Sequence, residues 1–90
     1  MKVRKMRILR LKYGISLADM ARVCGITKQR ISHIELGKRA SVEPETAARI
    51  LRGFTGIIEE RRLALQRLEQ DFKRHRVTLM DYVEEHDYEL

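Results

Sequence analysis

The sequence predicts an all-α protein, a small helical bundle followed by an extended C-terminal helical segment. Apolar residues recur at helical spacing along most of the chain: Leu17, Met20 and Ala21, for example, fall at i, i+3 and i+4. The alternation of β-branched residues that marks a half-buried strand is scarce, and there is one proline in 90 residues. Glycines and cap residues punctuate the helical stretches where starts and stops should fall. With 43% hydrophobic residues, a chain of this length suits one small domain and an appendage. No repeat or low-complexity tract interrupts it.

Taken in order, residues 3–13 read as a helix with Met6, Leu9 and Tyr13 on one side, ended by Gly14. Ser16 caps the next helix, with Asp19 three residues on as the second half of a capping box. Cys24-Gly25-Ile26 is short enough to force a sharp corner. Thr27 caps a third helix whose inward stripe is Ile31 and Ile34 and whose stop is Gly37. Two short helices crossing at such a corner form a helix-turn-helix unit, whose second helix can lie in a DNA major groove.

Lys38 to Ser41 read as a basic polar loop. Glu43-Pro44-Glu45 opens a fourth helix, with proline early and carboxylates in the first turn, and Ala47, Ile50 and Leu51 as its inner face. Gly53 and Gly56 mark a boundary that a continuous helix would find costly. The chain therefore divides on sequence into a domain at 1–54 and a C-terminal extension at 55–90.

Ile57 to Arg76 is rich in good helix formers, and Ile58, Leu65 and Phe72 recur every seven residues with Leu68 beside them. A 20-residue helix spans about 30 Å, more than a small domain easily covers. The Ile58, Leu65, Leu68 and Phe72 stripe is therefore expected to pair with a partner helix, most simply from a second copy, rather than to pack on its own domain. Thr78 with Asp81 reads as the cap of a last short helix carrying Leu79, Tyr82 and Val83.

Charge is divided unevenly. Residues 1–53 carry 13 Lys and Arg against 4 Asp and Glu, whereas residues 54–90 carry 6 against 9. A basic half holding the corner motif is the electrostatic footprint of nucleic-acid binding. Membrane-surface binding is the rival for a basic segment, but Arg4, Arg7 and Arg10 share no clean apolar opposite face. No stretch approaches the ~20 apolar residues of a membrane span, and the basic start has no apolar run of signal-peptide length. One cysteine, Cys24, forms no internal disulfide and suits a reducing cytoplasm as a filler of the corner. Cys24, His33, His75 and His86 lack metal-ligand spacing, and no phosphate loop or nucleophile–base arrangement is visible. No cofactor, metal or catalytic role is expected.

The outward face of the third helix carries the chemistry. At about 100° per residue, setting Ile31 inward puts Gln29 and His33 nearly opposite, Arg30 and Ser32 beside them, and Lys28 at the N-terminal tip. No acidic residue occurs between Thr27 and Ile34. Gln can pair two-pronged with the N6/N7 edge of adenine, and Lys or Arg with O6/N7 of guanine. An ordinary solvated helix face is also polar; the glycine placement and surrounding positive charge favour the DNA reading.

From Met6 to about Phe54 the chain resembles the phage-repressor and Cro-type (XRE-like) helix-turn-helix family, whose lambda-repressor-like domain has about five helices. The most specific text is Gly25-Ile26-Thr27, Ile31-Ser32, Ile34-Glu35 and Gly37-Lys38-Arg39. The resemblance implies that Lys28, Gln29, Ser32 and His33 face the major groove, with Thr27 and Arg30 flanking. It implies that Ser16, Lys38 and Arg39 hold phosphates, and that Arg10 pairs with Glu35 to tie the first helix to the third. Leu17 stands where many relatives carry a glutamine that touches the DNA backbone, a hydrogen bond no aliphatic side chain can make. The Gly-Val-Ser-like turn before the usual short fifth helix is replaced by Gly56-Ile57-Ile58, and the helical pattern runs on. These features lead to the expectation of a cytoplasmic, nucleoid-associated regulator, a dimeric repressor binding an inverted repeat in double-stranded DNA. The alternatives are an antitoxin-like protein whose residues 57–90 bind a partner protein, and a recombination accessory factor of a mobile element.

Overall fold

The computed structural model describes residues 2–38 and 41–86. Four helices occur among the described residues: α1 at Lys5–Lys12, α2 at Leu17–Cys24, α3 at Lys28–Glu35 and α4 at Pro44–His75. The chain falls into two compact units, Met1–Glu59 and Glu60–Leu90. The five helices implied by the family resemblance are four because the fourth and the C-terminal extension are one uninterrupted helix of 32 residues.

The first unit is built on helix ends that the chain makes locally. Ser16 Oγ accepts from the Asp19 amide at 3.0 Å while the Asp19 carboxylate accepts from the Ser16 amide at 3.3 Å, a complete capping box. Gly25 closes α2 in the left-handed region at φ 68°, where a Cβ is penalised, and so turns the chain straight into Thr27. At the end of α3 the Gly37 amide donates to Ile34 O at 3.1 Å and the Lys38 amide to His33 O at 3.0 Å. That pair is the Schellman closure, with Gly37 at φ 72°.

Beneath these ends lies an aliphatic core of Ile15, Met20, Cys24, Ile26, Ile31, Ile34, Ile50 and Ile57, flanked by Met6, Leu17, Ala21, Val23, Val42 and Phe54. Leu17, whose aliphatic side chain has no hydrogen-bonding group, packs against this core. The core is small, so each large side chain matters: truncating a buried isoleucine or methionine of this kind to alanine costs about 2–5 kcal/mol.

Several sequence expectations are corrected. Of the Met6, Leu9 and Tyr13 side of α1, only Met6 packs against the core; Leu9 and Tyr13 are about half exposed, and the buried residue of α1 is Arg10, at 5% exposure. A charged residue is buried there because α3 supplies its counter-charge. On α4 the buried stripe is Thr46, Ile50, Gly53 and Ile57, the spacing of one helical face. Leu51 lies off that stripe and is exposed.

Gly53 and Gly56 do not break α4. A Cβ on Gly53 would overlap Cys24 Sγ and lie 3.2 Å from Val23 Cγ2, so the missing side chain is what lets α4 approach α2. The helix-propensity cost of a glycine, about 1 kcal/mol, is offset by that close packing.

In the second unit α4 continues to His75, with Lys73, Arg74 and His75 in its last turn, where cations suit the helix dipole. The last short helix expected at Thr78 is absent among the described residues. The Thr78 amide donates to His75 O at 3.2 Å and the Asp81 amide to Thr78 O at 3.0 Å, which makes turns only. Leu79, Tyr82 and Val83 are exposed. A helix of one or two turns without packing on an apolar face is not stable in water.

Candidate nucleic-acid interface

α2 and α3 form the corner anticipated from Cys24-Gly25-Ile26, and Thr27 Oγ1 caps α3 by accepting from the Arg30 amide at 3.2 Å. Ile31 and Ile34 are buried under α3, with 0% and 2% exposure, which fixes its rotation. Lys28 and Gln29 are consequently exposed, and Ser32 and His33 are half-buried along the outer side. Arg30 is also half-buried, because its guanidinium Nη2 donates to Thr46 Oγ1 at 3.1 Å. It braces α3 against the first turn of α4.

One carboxylate belongs to α3, and it is turned away from this face. Glu35 is fully buried, and its two oxygens accept from Arg10 Nε and Nη2, each at 2.9 Å. The third arm, Arg10 Nη1, donates to Ile15 O at 2.9 Å, and Arg7 Nη1 stands 3.6 Å from the same carboxylate. The guanidinium thus joins α1, α3 and the turn before α2. The hydrogen bonds that Arg10 donates to Glu35, only partly opposed by burial, raise the Arg10 pKa above its already high value, so the guanidinium stays charged. Among the described residues no buried side-chain nitrogen or oxygen lacks a partner. The outer face of α3 therefore carries no negative charge.

Two of the expected phosphate holders stand at helix ends: Ser16 caps α2, and Lys38 follows the closure of α3. Ser16 and Lys38 are exposed. Ser16 Oγ is engaged as a cap acceptor, and its hydroxyl proton can still be donated. Arg39 lies outside the described residues.

Two residues that sequence reasoning missed also reach this end of α3. The Arg4 amide donates to Glu35 O at 2.8 Å and Arg4 Nε to Ile34 O at 2.9 Å. This lays the N-terminal segment along the end of the helix, with Lys2 O 3.9 Å from the position a Gly37 Cβ would take. The Lys2 backbone is thereby brought beside Gly37, although it is 35 positions away in the chain. The basic run at the start of the sequence was the available signal, but nothing local says which surface it lies on.

At the corner, Cys24 is buried against α4 and its thiol pKa is pushed up by that burial, so it stays a neutral filler. Among the described residues no group of three His, Cys, Asp or Glu could hold a metal ion, and no helix is long and apolar enough to cross a membrane. On α4, Ile58, Leu65, Leu68 and Phe72 are 55%, 55%, 63% and 48% exposed.

A capped helix held outward by a sharp glycine corner, basic at both ends and free of acid on its outer face, defines a DNA-binding helix-turn-helix protein. A family model described as helix-turn-helix, of the Cro and lambda-repressor type, matches residues 6–55, and the chain belongs to that family. No curated protein and no solved structure matches it. It is a DNA-binding transcription regulator of the XRE type.

Proposed function

We propose that the protein is a sequence-specific repressor that binds an inverted-repeat operator as a dimer, working in the cytoplasm on the nucleoid. The observation that supports this best is the outer side of α3, where Lys28, Gln29, Ser32 and His33 share a face from which the helix's one carboxylate is turned inward. In this reading Gln29 and Lys28 contact base edges near the helix N-terminus, and Ser32 and His33 extend the contact along the groove. Ser16, Thr27, Lys38 and Arg39 hold phosphates on either side, joined by Lys2. Arg30, bonded to Thr46, sets the angle of α3 rather than reading a base.

One such domain covers a half-site. Pairing two copies makes the second contact intramolecular and raises affinity without new chemistry. In a two-fold dimer the recognition helices meet one face of the duplex about 34 Å apart. The exposed Ile58, Leu65, Leu68 and Phe72 stripe supports that pairing. Residues 1–54 and 55–90 then act as a reading half and a pairing half.

The test is selection of bound sites from random DNA, followed by Gln29→Ala on the preferred site. The variant should lose about 1–3 kcal/mol on that site and little on random DNA. Equal losses on both would show that Gln29 does not read a base.

A second reading, antitoxin-like, is favoured by the nearly full exposure of Val77, Met80 and Tyr82 after α4. There residues 57–90 bind a protein partner. A stoichiometric partner that is released by Tyr82→Asp would support it; a chain that purifies alone and binds its operator tightly would count against it.

A further inference from the structure

The pairing half carries enough pattern to say which way two copies run. In α4, Leu65 and Phe72 occupy one seam position of a seven-residue repeat, and Arg61 and Leu68 occupy the other. Leu65, Leu68 and Phe72 are about half exposed, and Arg61 is exposed too. A cation thus stands in an apolar seam.

Its position discriminates between the two orientations. When two identical helices run parallel and in register, each seam residue meets its own copy. Arg61 would then face Arg61 of the second copy, two like charges in the driest part of the contact. Reversing one helix instead sets the two kinds of seam position against each other. The register that seats Leu65 on Leu68 of the second copy also seats Arg61 beside Phe72 of the second copy. There the arginine stem covers the aromatic ring, and the guanidinium stacks on its face or reaches water.

The flanking charges agree with that register. Arg62 and Glu69 lie on the same edge of the seam, seven residues apart, and both are exposed. In the reversed arrangement Arg62 of one copy faces Glu69 of the other, and the two-fold axis makes this pair twice. In a parallel pair the same positions would face Ile57 and Ala64, neither of which carries a charge.

We propose that residues 60–75 of two copies pair as antiparallel helices, with Leu65 on Leu68, Arg61 on Phe72 and Arg62 on Glu69 across the dyad. This rests on the dimeric reading above and adds the direction and register of the contact.

A charge-reversal cycle on the full chain tests it, with the dimer dissociation constant measured by sedimentation at about 50 mM salt, without DNA. Arg62→Glu and Glu69→Arg should each weaken dimerisation at least about fivefold, since each sets like charges opposite twice. The double variant should return to within about twofold of wild type, and the differences should shrink at high salt. Double-variant losses that multiply without rescue would overturn the antiparallel register while leaving the dimer intact. Single variants that dimerise like wild type would do the same. A wild-type chain that is monomeric at high micromolar concentration would overturn the dimeric reading itself.

Discussion

Replacing Arg10 with methionine removes the partner of a carboxylate that no water reaches. Glu35 is fully buried and takes two hydrogen bonds from Arg10, both at 2.9 Å. Methionine keeps much of the aliphatic volume, so the change isolates the loss of charge and donors from the loss of packing. Breaking a buried pair by removing one partner costs about 3–5 kcal/mol. The Ile15 carbonyl loses its donor as well. Arg7, 3.6 Å from Glu35 and a third exposed, can move in and recover part of the cost, which places the result at the lower end. For a domain of this size each kcal/mol shifts the melting point by about 4–8 °C, so the variant should melt at least about 12 °C below wild type by far-ultraviolet circular dichroism. The double variant Arg10→Met with Glu35→Leu removes both charges and should recover most of the loss, because replacing a buried pair by apolar residues is often neutral or stabilising. A single variant that melts within about 2 °C of wild type would refute the claim that this pair ties α1 to α3. A double variant as unstable as the single would show that shape, not charge, is what Arg10 supplies.

Lys38→Ala should weaken binding to all DNA sites alike and lower the slope of log affinity against log salt by about 0.9; a constant slope would point to lost packing at the end of α3. Gly53→Ala raises helix propensity by about 1 kcal/mol, yet it should destabilise the fold by about 1–3 kcal/mol, because the new Cβ overlaps Cys24 Sγ. Urea unfolding decides the sign, and a stabilised variant would mean that α2 and α4 can part without cost. Leu65→Asp places a carboxylate in the proposed seam, where an unpaired buried charge costs several kcal/mol. Light scattering should then show a monomer with weakened operator binding but full helical content, and a persistent dimer would place the contact elsewhere.

The helix-turn-helix was legible because its signals are local. Ser16 with Asp19, Gly25, Thr27 and Gly37 act within one turn of where they stand, through caps and a left-handed backbone that depend on immediate neighbours. The rotation of α3 was legible too, since Ile31 and Ile34 set its inner stripe by spacing alone. What tertiary structure decided are matters of distance along the chain. Arg10 sits in a basic stretch and reads as surface; its burial depends on Glu35, 25 positions later. The family resemblance named that pair, but the packing of α3 on α1 is what dries it. Gly53 reads as a helix breaker because propensity sees only its own backbone, yet it lies within α4, where its missing side chain leaves the space that Cys24 fills. Leu51 reads as core by hydrophobicity and is exposed, while Thr46 is buried because Arg30 supplies a donor to its hydroxyl. Lys2 comes beside Gly37 only because Arg4 bonds to the last turn of α3. In each case the deciding partner is a residue on another element, and such contacts exist only once the chain has folded.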